Sequence, residues 1–456
     1  MKLRIDNLGY IQRADICTRP LTIVCGKNNT GKTYLSYTIY GLLSFMQQAR
    51  PFQVDHDVLD NLSQKGAARI DLAKYTDQKQ LMYVFQNISE QFSQHLDRVF
   101  SSPEGEFATA KVTLDPNGLI PDLSPSIKNV FHVGKRNSVT VNKLRDSTIV
   151  EVALLNEENA PSPPEHILSA VLNRVLCEMI VGSYFKNPFV ITSERTGIQL
   201  FSKELDIRKN EVLDTLVEGK GKIADPFDLI DKFISRYPIA IKDNIDYIRD
   251  HERLRKTNSF LLGTPGQEDS LFEVWGEIMG GKLNVIANQL VFVPRERVNR
   301  KQVHVPIYLG SSAIKSQVSL DLYLRHNAQP DDMLMIDEPE LNLHPDNQRL
   351  MARLLARLVN KGINVFITTH SDYILKEINN LLLLANQFPT RKALMRKYGY
   401  TEDEVLKNGS TGVYVMRDHK AQLVEITSTG MELSVFDEII INQNGAADEI
   451  YYGQKE

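Results

Sequence analysis

The chain has 456 residues, 42% of them hydrophobic and 24% charged, with a formal net charge of −4. That length and composition describe a globular protein of two or three domains with a substantial core. The charge excludes a surface that is basic throughout, though not a local basic patch. Cys17, Cys25 and Cys177 lack the paired spacing of a zinc knuckle or a disulfide framework. No run reaches the roughly 20 apolar residues that span a bilayer, and residues 1–6 alternate like an opening strand rather than a signal-peptide core. The expected location is the cytoplasm, with no membrane contact.

In chain order, residues 3–10 and 21–25 read as strands, the second ending where Gly26-Lys27-Asn28-Asn29-Thr30-Gly31-Lys32-Thr33 begins. Leu35, Ile39, Leu42, Leu43 and Met46 then recur at helical spacing, completing the strand, loop and helix context of a phosphate-binding loop. Glycines let such a loop turn so that its N–H groups face an anion at the positive end of the following helix. Lys32 is placed to reach the β- and γ-phosphates of ATP, and the Thr33 hydroxyl to bind Mg²⁺.

Residues 60–100 read as mostly helical, with breaks at Ser102-Pro103-Glu104-Gly105 and over 121–125. Residues 110–114, 130–133, 138–141 and 148–155 read as short antiparallel strands, and 165–181 as a helix. Residues 203–256 are charged and helix-favouring, interrupted at Arg236-Tyr237-Pro238; they fit an interaction arm or a solvated helical hairpin, without the heptads of a long coiled coil. Strands resume over 283–293, and the chain beyond 400 mixes strand and helix around the turn Lys407-Asn408-Gly409-Ser410. The implied organisation is an α/β chain. It has an N-terminal lobe over 1–202 with the phosphate loop and a side sheet, a helical insertion over 203–265, a C-terminal ATPase lobe over 266–400 and an extension over 401–456.

Met333-Leu334-Met335-Ile336 predicts a buried central strand that delivers Asp337 and Glu338. Asp337 is expected to complete the Mg²⁺ shell through water, and Glu338 to orient or deprotonate the attacking water. An acid-rich helix start is the plainer alternative, disfavoured by Pro339 and the preceding strand. Leu350, Leu354, Leu355 and Leu358 share one helical stripe. Residues 363–370 form another apolar strand, which would carry His370 to the edge where open α/β sheets bind ligands. A lone histidine is commonly structural, but its order after the acidic strand favours contact with the γ-phosphate.

Ile336-Asp337-Glu338-Pro339-Glu340-Leu341-Asn342-Leu343-His344-Pro345 and Thr368-Thr369-His370-Ser371 resemble the Walker B, D-loop and switch-histidine segments of the RecF/SMC/OLD branch of ABC ATPases. The resemblance implies an ABC-type P-loop ATPase head and a homo-oligomer in which two heads sandwich ATP, each completing the other's site. On that pattern Leu309-Gly310-Ser311-Ser312-Ala313-Ile314-Lys315-Ser316 stands in place of the signature motif, departing from the common Leu-Ser-Gly-Gly-Gln. Ser312 with Lys315 is the expected contact to the other head's nucleotide, and an ordinary helix cap is the alternative.

Ile191-Thr192-Ser193-Glu194-Arg195-Thr196-Gly197 and Val305-Pro306-Ile307-Tyr308-Leu309 are similar to ATPases of bacterial two-gene anti-phage systems, first the PARIS ATPase subunit and next the Septu ATPase. That likeness implies a sensor and scaffold that controls a separate TOPRIM-like nuclease effector and answers a phage protein trigger. Glu194 and Arg195 either line the nucleotide pocket or form an internal salt bridge. OLD nucleases carry a TOPRIM domain after the ATPase; the segment following His370 is expected to be too short for one, and Asp437-Glu438 and Asp448-Glu449 fit a solvated helix better than a metal site. The alternative function is a RecF/SMC-like DNA-repair or DNA-clamping ATPase, for which Arg391-Lys392 and Arg396-Lys397 supply basic pairs. A transporter subunit is disfavoured by the missing common signature.

Overall fold

The apolar runs Leu21–Gly26, Met333–Asp337 and Asn364–Thr369 form parallel strands in the computed structural model, with Asn364–Thr369 between the other two. The structure describes residues 1–432 apart from 119, 134–136, 157–162, 183, 202–236, 264–269, 287–288 and 298–300, together with 445–446 and 449–450. Two units divide the chain: Met1–Cys17 with Thr38–Pro188, and Thr18–Tyr37 with Phe189–Glu456. The α/β class and the antiparallel side sheet expected from sequence are both present.

In the unit containing the phosphate loop, Thr411–Arg417 pairs in parallel with the free side of Leu21–Gly26, Lys420–Leu423 adds antiparallel beyond it, and Pro188–Ile191 neighbours Met333–Asp337. The central strands are buried along nearly their whole length. Parallel strands covered on both faces read as continuous apolar runs rather than as alternation, which is why these were legible. Helix Pro345–Asn360 opens with proline in its first turn, buries Met351, Leu354, Leu355 and Leu358, and packs on helix Asp372–Leu383. One core runs through Trp275, Tyr323, Ile336, Leu354 and Ile367. The strands expected over 283–293 are Gly281–Ile286 and Gln289–Pro294, paired antiparallel.

In the other unit, Lys2–Leu8 pairs antiparallel with Ile11–Cys17 on one side and Lys111–Leu114 on the other. The single strand expected over 3–10 stops at Leu8, because Asn7 and Gly9 take left-handed φ values of 56° and 55° and reverse the chain. Helix Gln78–Ser93 closes the edge of this sheet: the hydroxyls of Ser93 and Ser89 accept the N–H groups of Val112 and Leu114 at 3.0 Å each. The four-stranded side sheet runs Ala67–Asp71, Ile149–Asn156, Asn137–Lys143, Ile127–Val133. Its first strand replaces part of the expected helix over 60–100, since Gly66 at φ 71° ends helix His56–Lys65 and turns Ala68 and Ile70 inward.

The helical insertion expected over 203–265 lies outside the described residues as far as 236; helices Ile239–Arg249 and His251–Leu254 belong to the remainder. Asp437, Glu438 and Asp448 also lie outside them. Among the described residues, no helix is long and apolar enough to cross a membrane.

A buried charge cluster joins the two helices that follow the acidic and histidine strands. Arg353 Nε donates to Glu377 at 2.7 Å and Arg349 Nε to its other oxygen at 3.0 Å, with Glu377 only 2% exposed. Removing one partner of a buried pair strands the other charge. Glu377→Ala is therefore expected to destabilise the protein by about 3–5 kcal/mol, seen as a lower urea midpoint with an unchanged slope.

Candidate functional site

Strand register builds the site. Asp337 lies opposite Thr368, Thr368 opposite Val24, Thr369 opposite Cys25 and Gly26 opposite Met416. The carboxyl ends of four parallel strands thus meet at one edge, the place where α/β sheets bind ligands. Gly26 has φ 143°, and a Cβ there would stand 2.8 Å from the Met416 carbonyl oxygen, so this position excludes side chains on both counts. Asn29 takes φ 59°, a conformation asparagine tolerates. Lys27, Asn28 and Asn29 face solvent, while the Thr30 hydroxyl ties back to the Lys27 carbonyl at 2.8 Å and Gly31 turns the chain at φ 95°.

Lys32 opens helix Lys32–Met46 and curls its ammonium into the loop, donating to the carbonyls of Gly26 at 3.0 Å and Lys27 at 2.8 Å. Desolvation lowers its pKa, against the opposing pull of the Glu338, Asp337 and Glu340 charges. The Thr33 hydroxyl donates to Asp337 Oδ2 at 3.3 Å, and the Thr368 hydroxyl to Oδ1. Burial pushes the Asp337 carboxyl up to about 6, opposed by the Thr368 bond and reinforced by the charges of Glu338 and Glu194. A hydroxyl and a buried carboxylate converging at the loop form a hard oxygen donor set that fits Mg²⁺.

Glu338 is held in the left-handed region at φ 53°, its N–H shared between Thr368 O at 3.0 Å and Thr368 Oγ1 at 3.2 Å. His370 Nδ1 lies 3.5 Å from Glu338 Oε1 and 3.6 Å from Glu340 Oε1. Glu340 Oε1 also accepts the Thr369 hydroxyl at 2.7 Å and the His370 N–H at 2.9 Å, while its Oε2 is buried without a hydrogen-bond partner. Lys32, Thr33, Asp337, Glu338 and His370 are thus gathered in one place. Glu340 joins them without having been singled out from sequence; the signal was an acid directly after Asp337-Glu338-Pro339.

The start of helix Ser312–Leu322 carries an ordinary cap, as the alternative reading had it, one residue before Ser312. Ser311 is the capping residue, its hydroxyl accepting the Ile314 N–H at 3.3 Å, and Ser312 is left exposed in the first turn. Among the described residues, neither Ser312 nor Lys315 makes a side-chain bond to the phosphate loop. An internal Glu194–Arg195 salt bridge is not formed. Glu194 instead accepts the Tyr37 hydroxyl at 3.1 Å. The buried Arg195 guanidinium donates to the carbonyls of Ser316 at 3.0 Å, Thr192 at 3.0 Å, Asp337 at 2.7 Å and Glu338 at 2.6 Å. Desolvation lowers its pKa to about 10. Of the basic pairs near 391–397, Arg391 is occupied by a bidentate bond to Glu402 at 2.5 and 2.6 Å, leaving Lys392, Arg396 and Lys397 exposed.

A family model described as an AAA ATPase domain matches residues 1–375. No curated protein matches the chain. Among solved structures, the chain is similar to an SmcHead bound to the C-winged helix domain of ScpA, at 11% identity over 93% of this chain and 96% of that one, TM-score 0.34. It is similar to the Smc head domain with an extended coiled coil from Pyrococcus furiosus, at 12% identity over 97% and 98%, TM-score 0.31. A third likeness is the SMC head domain from Thermotoga maritima, at 11% identity over 93% and 98%, TM-score 0.29. Family membership stands on the domain match, independently of these distant superpositions.

Burial of Asp337 makes stability depend on pH. Its carboxyl binds a proton more tightly in the folded chain, near 6, than at its ordinary 3.8, so stability falls as pH rises through that window. Without nucleotide or divalent cation, Asp337→Asn is expected to melt above the wild type at about pH 7, the difference closing below about pH 4. Melting curves across that range check it; a variant less stable at every pH contradicts it.

Proposed function

The chain belongs to the AAA ATPase domain family, and from that premise we propose that it is an ATP-binding and hydrolysing subunit with an ABC-type head, which controls a separate toxic effector in bacterial anti-phage defence. The observation that carries the ATPase part is the convergence of Thr33 and Thr368 on Asp337, with Glu338 and His370 3.5 Å apart beside it. The loop N–H groups receive the phosphates, and Lys32 exchanges two neutral carbonyls for phosphate oxygens. Thr33 and Asp337 would hold Mg²⁺, which supplies charge neutralisation to the phosphates. Glu338 takes the proton of the attacking water or orients it, and His370 touches the γ-phosphate.

Ser312 is exposed and, among the described residues, neither it nor Lys315 makes a side-chain hydrogen bond, which supports a contact to the nucleotide of a second head and hence a homo-oligomer. ATP then acts as a clamp, because a ligand shifts an equilibrium only through differential affinity for its states. Support for a defence role comes from the likeness of residues 191–197 and 305–309 to anti-phage ATPases of the PARIS and Septu kind. The effector is a TOPRIM-like nuclease on another polypeptide, the trigger a phage protein, and the setting the cytoplasm. Mass spectrometry of proteins co-purified from the native host tests this, a co-eluting nuclease being the expected result. A DNA-clamping role is favoured instead by exposed Lys392, Arg396 and Lys397 on helix Arg391–Tyr398; it requires DNA binding that weakens steeply with salt.

Lys32→Ala is expected to weaken nucleotide binding. Glu338→Gln should keep ATP bound, lower turnover by about 10²-fold or more and trap the dimer. Phosphate release and sedimentation with ATP measure both, and wild-type turnover in Glu338→Gln would overturn the catalytic assignment.

A further inference from the structure

Arg195 is a buried cation beside the site that touches its backbone but none of its side chains. It is only 2% exposed, and each of its four hydrogen bonds goes to a main-chain carbonyl. Those carbonyls belong to three segments: Thr192 just beyond strand Pro188–Ile191, Ser316 in helix Ser312–Leu322, and Asp337 with Glu338 in the acidic turn. With its nitrogens committed to carbonyls, the guanidinium is neither a nucleotide ligand nor half of a salt bridge.

We infer that Arg195 is a positioning residue, which holds the Asp337-Glu338 backbone in its reactive conformation and ties that turn to the helix carrying Ser312 and Lys315. The inference rests on the ATPase assignment above. Glu338 sits at φ 53°, a conformation that costs a residue with a side chain free energy and persists only where surrounding bonds over-determine it. Thr368 holds the N–H of Glu338 from one side, and Arg195 holds its carbonyl from the other. The same fork reaches the Ser316 carbonyl, one residue beyond Lys315, so displacement of that helix is felt at the Glu338 carbonyl through one rigid plane. Lysine keeps the charge but not the planar fork, and three rotatable donors on one nitrogen cannot reproduce the span.

The test measures kcat and KM for ATP in the full chain for Arg195→Ala and Arg195→Lys, each alone and combined with Glu338→Gln, with melting curves alongside. In the wild-type background both single variants are expected to lower kcat by about tenfold or more while KM stays within about twofold. Combined with Glu338→Gln they should add little further loss, because the group they position is already disabled. Should Arg195→Ala not fold, Arg195→Lys carries the test. An unchanged kcat in Arg195→Lys, an equal loss in both backgrounds, or failure of both variants to fold would overturn the inference in favour of an independent or purely structural role. If Glu338→Gln itself turns over at the wild-type rate, the catalytic assignment and this inference fall together; if it is slow and the Arg195 variants are not, only the role of Arg195 falls.

Discussion

Main-chain pairing of Asn364–Thr369 with Leu21–Gly26 on one side and Met333–Asp337 on the other is the constraint on which the site depends. Side chains some 300 positions apart in the chain meet because these ladders have a single register. The pairing continues past the strands, with the Glu338 N–H donating to the Thr368 carbonyl at 3.0 Å and the Val365 N–H to the Pro20 carbonyl at 2.7 Å. A slip of one residue reverses which face each side chain occupies. Asp337 would then lose Thr33 and Thr368 together. The apolar runs that make these strands are therefore also what aligns the polar groups at their ends.

The charges gathered at that edge are balanced unevenly. Lys32, 7% exposed, and Arg195, 2% exposed, are held by neutral carbonyls rather than by carboxylates in direct contact. Asp337, Glu338 and Glu340 stand near enough to oppose the desolvation of both cations without pairing with either. That arrangement favours an incoming anion at Lys32. A lysine locked to a carboxylate would have to break an ion pair to bind phosphate, whereas on the proposed reading a neutral acceptor would be exchanged for a charged one. Asp337 is the complementary case, a carboxylate pushed up by burial with, among the described residues, two hydroxyls on its oxygens, so that a cation would relieve rather than disturb it.

What was legible in the sequence and what was not follow from the same physics. Gly26 and Gly31 announce positive φ by having no side chain, and residues 333–336 and 365–367 announce double burial by having no polar residue. Ile11–Cys17 did not announce itself. Two exposed residues, Gln12 and Arg13, fall between the buried Ile11 and Ala14, which breaks the alternation that marks a half-buried strand. Ala67–Asp71 is too short, at five residues between helical stretches, for a period of two to stand out. The partners of Arg195 left no trace at all, because a carbonyl acceptor is present at every position and so no residue type marks it. The side-chain pair Glu194–Arg195, adjacent in sequence, suggested a bond the fold does not make; neighbouring residues that point to different partners cannot be told from a pair without the backbone between them.

Three residues with side chains occupy the left-handed region within the loops of this site: Asn29, Glu338 and Asn342, at φ 59°, 53° and 62°. Asparagine adopts that conformation at modest cost; glutamate has no such excuse. The acidic turn therefore needs bracing from outside its own motif, and much of it comes from residues 192–196. Arg195 holds the carbonyls of Asp337 and Glu338, and Thr196 accepts the Asn342 side-chain amide at 3.2 Å. A turn held from both flanks can keep a carboxylate in one orientation before any ligand arrives, so that no reorganisation is needed when charge develops. Strain at Glu338 and the buried guanidinium beneath it are in this sense one feature: the first would relax without the second, and without the strained turn the second would be a buried charge with no purpose to offset its desolvation.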